Sequence, residues 1–322
     1  MPSLVERLRH QVVPAVPVPY DSRGKIDAAA TRQYARWMAH QPLGAVAVWA
    51  HTGRGLLMSD AERAHTLELW REALDETPII CGVGAPAAAR LPDDPAARTE
   101  RVIELSVSLA AAAKQGGASG LLVYPPTALR ELPDRDRRAV AVHAAVAEVG
   151  LPIIAFYLYE AAGGISYSLD AIGELSGLTG VIGIKVATLD SVMMYQDVAA
   201  RVMEHENVLL ITGEDRFLGY SLMLGAEAAL IGMAAACTDV SSALLDAWYA
   251  RDLTRFADLS RALDAFARVT FTQPMDCYVQ RMLWALEADG VIPDGATDRF
   301  GPAAADFERA AVRQAVRALR QR

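Results

Sequence analysis

The stretches Ile153-Ile154-Ala155-Phe156-Tyr157 and Val181-Ile182-Gly183-Ile184-Lys185 decide the fold. Each is a short apolar run rich in β-branched or aromatic residues, which is typical of a buried strand. The amphipathic stretch 169–176 between them is typical of a helix, so the three form a strand–helix–strand unit. Similar apolar runs recur at 12–18, 45–49, 79–82, 120–124, 208–212 and 228–231. Eight strands separated by helices predict an α/β fold, namely a parallel (β/α)8 TIM barrel.

The strand signals stop after residue 240, and the rest of the chain has a helical pattern. Helices are predicted over 241–269, 274–288 and 303–320, with a turn-rich stretch at 290–301. Within the barrel, helices are predicted over 60–74, 99–115, 136–149, 169–176 and 189–205. We therefore expect a catalytic barrel over residues 1–248 and a C-terminal α-helical domain over 249–322.

Composition excludes several classes of protein. The 322 residues carry a net charge of −8, without a clustered basic face, so nucleic acid is not an expected partner. No run reaches the roughly 18–20 apolar residues of a membrane helix, and the first residues lack the pattern of a signal peptide. These features predict a cytoplasmic protein without a membrane partner. The three cysteines are far apart, odd in number and without CxxC spacing, so neither a disulfide framework nor a thiolate metal site is expected from them.

Lysine is rare in this sequence. Of 31 basic residues only Lys25, Lys114 and Lys185 are lysines, and Lys185 ends the sixth predicted strand. The C-terminal ends of the strands form the mouth of a barrel, where active sites lie. Burial there disfavours the charged ammonium, and a neutral amine is a nucleophile. The alternative is a lysine whose stem carries its ammonium out at the rim.

Two further groups are candidates for chemistry at the mouth. Tyr157 ends the preceding strand, and we expect it to face Lys185 and transfer protons, unless it is an ordinary packing aromatic. The turn after the second strand contains His51, Thr52 and Gly53, whose amides could hold a carboxylate. His51 is a candidate acid or base tuned near neutrality, or a loop histidine bonded to backbone. Thr52, Gly53 and Leu230, the last from the eighth predicted strand, are the predicted substrate-binding residues.

Together these features resemble the dihydrodipicolinate synthase/N-acetylneuraminate lyase family of class I aldolases. The resemblance covers essentially the whole chain and is most specific in Gly183-Ile184-Lys185 and in Tyr157, which lies 28 residues before Lys185. It also includes residues 21–27, the turn at Gly53, and the stretches 79–84, 117–123 and 213–215. The family implies a barrel with a helical C-terminal domain, frequently assembled as a homotetramer, with Lys185 as the Schiff-base former. We expect no cofactor, no metal, and a homo-oligomer, either dimer or tetramer.

The sequence departs from the family pattern at several positions. His51 stands where a hydroxyl is usual, and Arg54 stands where an acid is usual. Thr127 replaces a second tyrosine, and Ala162 replaces an arginine that would bind a second carboxylate. Val186 follows the lysine, where an acidic residue is frequent. These departures favour a divergent member that is an aldolase or dehydratase for pyruvate, another 2-keto acid or a keto-deoxy sugar acid.

Two other functions remain open on the sequence. A metal-dependent barrel lyase would need clustered ligands, for which His51, Glu160, Glu214 and Asp215 are the scattered candidates. A catalytically retired barrel could bind a keto acid as a sensor. A nicotinamide enzyme is disfavoured because Gly82-Val83-Gly84 lacks the third glycine and the helix that a dinucleotide site needs.

Overall fold

The computed structural model describes residues 2–321, with the side chain of Asp306 left out. Eight strands form one sheet in which all neighbours run parallel. The strands are β1 (Val12–Pro14), β2 (Val46–Val48), β3 (Ile79–Val83), β4 (Gly120–Val123), β5 (Ile153–Leu158), β6 (Val181–Ala187), β7 (Leu209–Thr212) and β8 (Ala228–Ile231).

Twelve α-helices lie within the described residues. They are α1 (Leu4–Leu8), α2 (Ala28–Met38), α3 (Asp60–Ala73), α4 (Pro95–Gln115), α5 (Arg135–Ala147), α6 (Leu169–Gly177), α7 (Val192–Met203), α8 (Leu218–Met223), α9 (Thr238–Tyr249), α10 (Leu253–Thr270), α11 (Tyr278–Ala288) and α12 (Asp306–Arg320). Local sequence explains their starts. The Ser59 hydroxyl and Glu62 form a capping box at α3, and Asp94 caps α4 ahead of Pro95.

The sheet closes into a barrel, which confirms the predicted (β/α)8 fold. From β2 to β8 each strand pairs with the next in sequence, and β1 pairs with β8. A parallel bridge between Ala15 and Ala47, just beyond β1 and within β2, completes the ring. A closed parallel barrel with helices outside it places the loops that follow the strands at one end, where they can form a site.

Side chains alternate between the inside and the outside of the barrel along each strand. On β5, Ile154, Phe156 and Leu158 belong to the interior cluster of buried residues. Ile153, Ala155 and Tyr157 belong to the larger cluster between strands and helices. On β6, Ile184 and Val186 share that outer cluster, so Lys185 between them points inward.

Several elements differ from the sequence-based prediction. The first strand ends at Pro14 rather than at residue 18, since Pro17 and Pro19 lack the N–H that would extend pairing. The predicted helix over 241–269 is two helices, α9 and α10, separated by a turn in which Arg251 has a φ of 60°. Helices α1, α2 and α8 were not predicted.

The C-terminal helices pack on one another and against the barrel. Helix α10 packs against α9 and α12, and α11 packs against α12. Within α11, the fully buried Arg281 pairs with Glu308 and donates to the carbonyl of Thr272, which fixes the segment that leads from α10 to α11. The division at residue 248 stays a prediction. Among the described residues, no helix combines the length and the apolar character that crossing a membrane requires.

Candidate active site

Lys185 lies inside the barrel near the C-terminal end of β6. Its side chain is buried, and Nζ lies 4.0 Å from the centre of the Phe156 ring. Phe156 is also its direct partner across the β5–β6 pairing. Burial lowers the pKa of Lys185 to about 8, against the opposing effect of the Asp215 and Glu214 charges. An aromatic face stabilises a cation without hydrogen bonding to it, so the lone pair of the neutral amine stays available.

The expectation that Tyr157 faces Lys185 is wrong. Tyr157 pairs with Val186, and both side chains point out of the barrel, because successive side chains of a strand point to opposite faces of the sheet. Its ring packs edge-on against Tyr167, with 6.1 Å between the ring centres. Burial raises the pKa of Tyr157. The position opposite Lys185 is held by Phe156, which has no exchangeable proton.

A cavity of about 370 Å³ opens at the mouth of the barrel over Lys185. Its polar lining consists of His51, Thr52, Tyr159, Lys185, Asp215, Asp276 and Tyr278. Its apolar lining consists of Phe156, Leu158, Ala161, Ala162, Ala187, Leu189, Phe271 and Met275, with backbone at Gly213 and Gly232. Both the barrel and the C-terminal segment around α11 therefore form its walls.

The loop after β2 delivers two of its three predicted site residues to the cavity. His51 and Thr52 line it, and both approach the hydroxyl of Tyr278. The Gly53 amide instead donates to the Ala50 carbonyl at 2.8 Å, so it is not free to hold a carboxylate. Leu230 lies in the interior cluster below the cavity and does not line it.

His51 is not tuned near neutrality as expected. Burial, with the positive charges of Arg54 and Lys185, lowers its pKa to about 4. The imidazole is therefore neutral at pH 7, with one nitrogen able to accept a hydrogen bond. Its Nδ1 lies 2.9 Å from the Tyr278 hydroxyl oxygen, and the ring also has a backbone hydrogen bond with Ala162, so both a side chain of the C-terminal region and the loop after β5 hold it.

The acidic pair after β7 has divided roles. Glu214 accepts hydrogen bonds from the Thr188 hydroxyl and the Leu189 amide, which holds the loop after β6. Asp215 lines the cavity and accepts from the Met233 amide at 2.6 Å, and burial raises its pKa. Its charge also acts on Lys185. Asp215 is thus the carboxylate that lies in the cavity near the amine.

The four candidate metal ligands do not come together. Glu160 pairs with Arg135 at 3.5 Å, and Glu214 is engaged with the loop after β6. Within residues 2–321, no group of three or more His, Cys, Asp or Glu side chains has the arrangement of a metal site. All three cysteines are buried as free thiols, as their apolar surroundings predict for Cys81 and Cys237.

Arg54 connects the loop after β2 to the C-terminal region. Its guanidinium donates to the carboxylates of Asp276, at 2.6 Å, and Asp298, at 2.7 Å. It also donates to the Asp276 carbonyl at 3.0 Å. Arg54 does not line the cavity over Lys185, and its contacts fix the segment that carries Tyr278.

Sequence reasoning missed Tyr278 and considered Asp215 only as one of four scattered candidate metal ligands. Asp215 could have been found, since it lies three residues beyond the end of an apolar strand. Tyr278 begins a helix 227 positions from His51, and no local pattern links the two.

The comparisons with known proteins agree with this architecture. A model of the Dihydrodipicolinate synthetase family matches residues 9–306. The chain belongs to this family.

Individual members of the family are distant relatives. An N-acetylneuraminate lyase of Citrobacter koseri is 27% identical over 221 residues, which cover 67% of this chain and 66% of that protein. The match thus spans slightly less than two thirds of this curated relative.

Solved structures share the fold over almost their whole length. The catalytic-lysine mutant of a Ruminococcus gnavus sialic acid aldolase has a TM-score of 0.82 at 17% identity, covering 98% of this chain and 97% of the other. The pyruvate complex of the chloride-inhibited dihydrodipicolinate synthase of Acinetobacter baumannii has a TM-score of 0.78 at 22% identity, covering 97% and 99%. These similarities support the barrel and its C-terminal helices.

Proposed function

We propose that the chain is a Schiff-base lyase that acts on pyruvate or another 2-keto acid through Lys185. The observation that carries this proposal is a buried lysine at the base of the mouth cavity, over an aromatic ring and with a lowered pKa. Membership of the family supports it. So does the similarity to an aldolase that was studied as a mutant of its catalytic lysine.

The chemistry begins with the neutral amine of Lys185. Its lone pair attacks C2 of the keto acid, and the resulting carbinolamine takes up one proton from solvent as it loses water, which leaves a protonated imine. In the cleavage direction this cation accepts the electron pair of the bond from C3 to C4. In the condensation direction it loses a proton from C3, and the resulting enamine donates its electron pair to form that bond. The carboxylate of Asp215 faces the same cavity, where its negative charge stabilises the cationic imine.

Thr52 is the proposed anchor of the keto acid's carboxylate. Its Oγ1 accepts a hydrogen bond from Tyr278 at 3.1 Å. A hydroxyl that accepts one bond still has its own hydrogen to donate, and a carboxylate oxygen is a strong acceptor. Gly53 and Leu230 have no part in this anchor, because neither lines the cavity.

The outer cavity favours a substrate whose remaining part is uncharged. Among the described residues that line the cavity, Lys185 is the single lysine or arginine. Ala162, which takes the place of the family's arginine, lies in this wall with Leu158, Leu189, Phe271 and Met275. A second carboxylate would be desolvated there without a cationic partner, which is costly. We therefore propose a neutral, largely apolar aldehyde as the second reactant or product.

Borohydride trapping tests the proposal. Wild-type protein incubated with pyruvate and borohydride should carry a reduced adduct on the Lys185 peptide, read by mass spectrometry. Lys185→Ala should remove both the adduct and the turnover. Lys114→Ala is the matched control, because the exposed Lys114 amine only bonds the Val149 carbonyl, and it should label as wild type does.

The same preparation tests the substrate class. Condensation of pyruvate with neutral aliphatic and aromatic aldehydes should exceed condensation with aldehydes that carry a carboxylate. A folded wild-type protein that forms no adduct with any 2-keto acid would contradict the Schiff-base proposal. A preference for the charged aldehydes would contradict only the proposal that the second reactant is neutral and apolar.

A further inference from the structure

Tyr278 places a phenol in the cavity from outside the barrel strands. It is the first residue of α11, and its ring is buried and stacked on Phe271, with 4.9 Å between ring centres. It lines the same cavity as Lys185 and Asp215. Strand β5 supplies no proton-bearing group opposite Lys185, because Phe156 lies there. Helix α11 supplies such a group instead, through Tyr278.

The hydroxyl of Tyr278 joins two polar side chains of the loop after β2. It lies 3.1 Å from Thr52 Oγ1 and 2.9 Å from His51 Nδ1. The His51 and Tyr278 rings are nearly parallel, with 6° between their planes. In the resting site the phenol donates its hydrogen to Thr52 Oγ1. When the neutral imidazole carries its proton on Nε2, the phenol O–H can rotate to His51 Nδ1, which then accepts this hydrogen in place of Thr52. The phenol therefore has a proton acceptor behind it, within hydrogen-bond distance.

The surroundings fix the phenol in this place. Arg54 holds Asp276, two residues earlier, through both its carboxylate and its carbonyl. Gly232 leaves the space in which the Tyr278 ring and the Thr52 hydroxyl lie, because a Cβ there would lie 3.1 Å from Thr52 Oγ1 and 3.2 Å from a Tyr278 ring carbon. Tyr159 also lines the cavity, but it lacks a comparable pair of partners in the described hydrogen bonds.

We propose that Tyr278, with His51 behind it, is the proton-transfer residue of this site. The assignment rests on the proposed Schiff-base function of Lys185. In the cleavage direction, the C4 hydroxyl gives its proton to the phenol oxygen as the phenol proton moves to His51 Nδ1. The C3–C4 bond breaks, its electron pair neutralises the imine as an enamine, and an aldehyde leaves. Tyr278 then gives to C3 the proton that it took from the C4 hydroxyl, and it recovers its own proton from His51. The hydroxyl proton of the substrate thus ends on the product methyl group.

Exchange of the pyruvate methyl protons in D2O isolates this step. Exchange needs the imine, and it also needs a group that removes and returns a proton at C3, so NMR loss of the methyl signal measures both. Lys185→Ala should abolish exchange and trapping together. Tyr278→Phe keeps the stacked ring, so it should still be trapped by borohydride on Lys185 while exchange slows about 10²–10⁴-fold.

Tyr157→Phe is the matched control, since it removes the same atom from a buried tyrosine outside the barrel. We expect its exchange to equal that of wild type. Wild-type exchange in Tyr278→Phe, or a loss confined to Tyr157→Phe, would overturn the assignment while leaving the Schiff base intact. His51→Ala serves as a second variant, in which trapping should persist and exchange should fall. A wild-type protein that neither traps nor exchanges would overturn the proposed function and this assignment together.

Discussion

The reactivity of Lys185 is set by the groups that touch its stem and its amine. Phe156 covers the amine, and Gly213 leaves room for the stem, because a Cβ at that position would lie 2.8 Å from Lys185 Cε. Asp215 and Glu214 oppose the effect of burial by stabilising the ammonium. Burial lowers the pKa of the amine and the two acidic charges raise it, so the pKa lies below that of an exposed lysine but above neutrality.

The pH dependence of imine formation follows from this balance. With a pKa of about 8, about one tenth of the amine is neutral at pH 7 and about half at pH 8. The rate of borohydride trapping at low pyruvate should therefore rise with pH through about 8 and then level off. Asp215→Asn removes a charge that raises the pKa, so its midpoint should lie lower. A rate that is flat from pH 6 to pH 9, or a midpoint that rises in Asp215→Asn, would contradict this account.

At the scale of elements, the strands were predictable and the direction of their side chains was less so. The apolar runs located all eight strands, because a buried parallel strand has no polar face to hide its signal. Lys185 was found because a charged residue within such a run is unusual. Tyr157 was misassigned because strand ends were aligned by sequence position. The observed register sets Phe156 against Lys185, and β6 continues two residues further, to Ala187.

The Arg54 contacts predict a large effect on stability. The side chains of Arg54 and Asp298 are 7% and 2% exposed, so Arg54→Ala leaves a buried carboxylate without its cation. Breaking such a pair costs about 3–5 kcal/mol of unfolding free energy. Urea unfolding followed by circular dichroism measures it. Arg23→Ala, which breaks an exposed pair with Asp21, is the control and should cost about 0–1 kcal/mol. Equal losses in the two variants would show that the Arg54 contacts contribute little.

At the scale of the whole molecule, the sequence predicted the barrel and the C-terminal helices but not their shared site. Barrel logic directs attention to strand ends, whereas Phe271, Met275, Asp276 and Tyr278 reach the cavity from the C-terminal region. Their approach depends on tertiary contacts such as those of Arg54 and Arg281, whose partners are distant in sequence or lie on the backbone. A pattern of local periodicity carries no information on contacts of this kind.

An exposed apolar patch at the start of α7 allows the predicted homo-oligomer to be tested. Helix α7 begins with Val192, Met193 and Met194, which are exposed to solvent in the single chain, Met193 at 76%. Consecutive exposed apolar side chains are unusual unless a partner covers them. Light scattering should give the mass of a dimer or tetramer for wild type, and Met193→Lys should lower it. Met203→Lys, at the other end of α7, is the control and should leave the mass unchanged. A wild-type monomer would refute the prediction.

The two-part cavity also has a consequence for the growing chain on the ribosome. Phe271 and Tyr278 are synthesised 86 and 93 residues after Lys185. At about 5–20 residues per second, the interval from Lys185 to Tyr278 is roughly 5–19 s. A nascent chain that has not reached residue 271 lacks both of these cavity walls, so its Lys185 amine would meet aldehydes and keto acids without the selection proposed for them. Any selectivity that the C-terminal region gives to the site therefore begins only after Tyr278 has been synthesised.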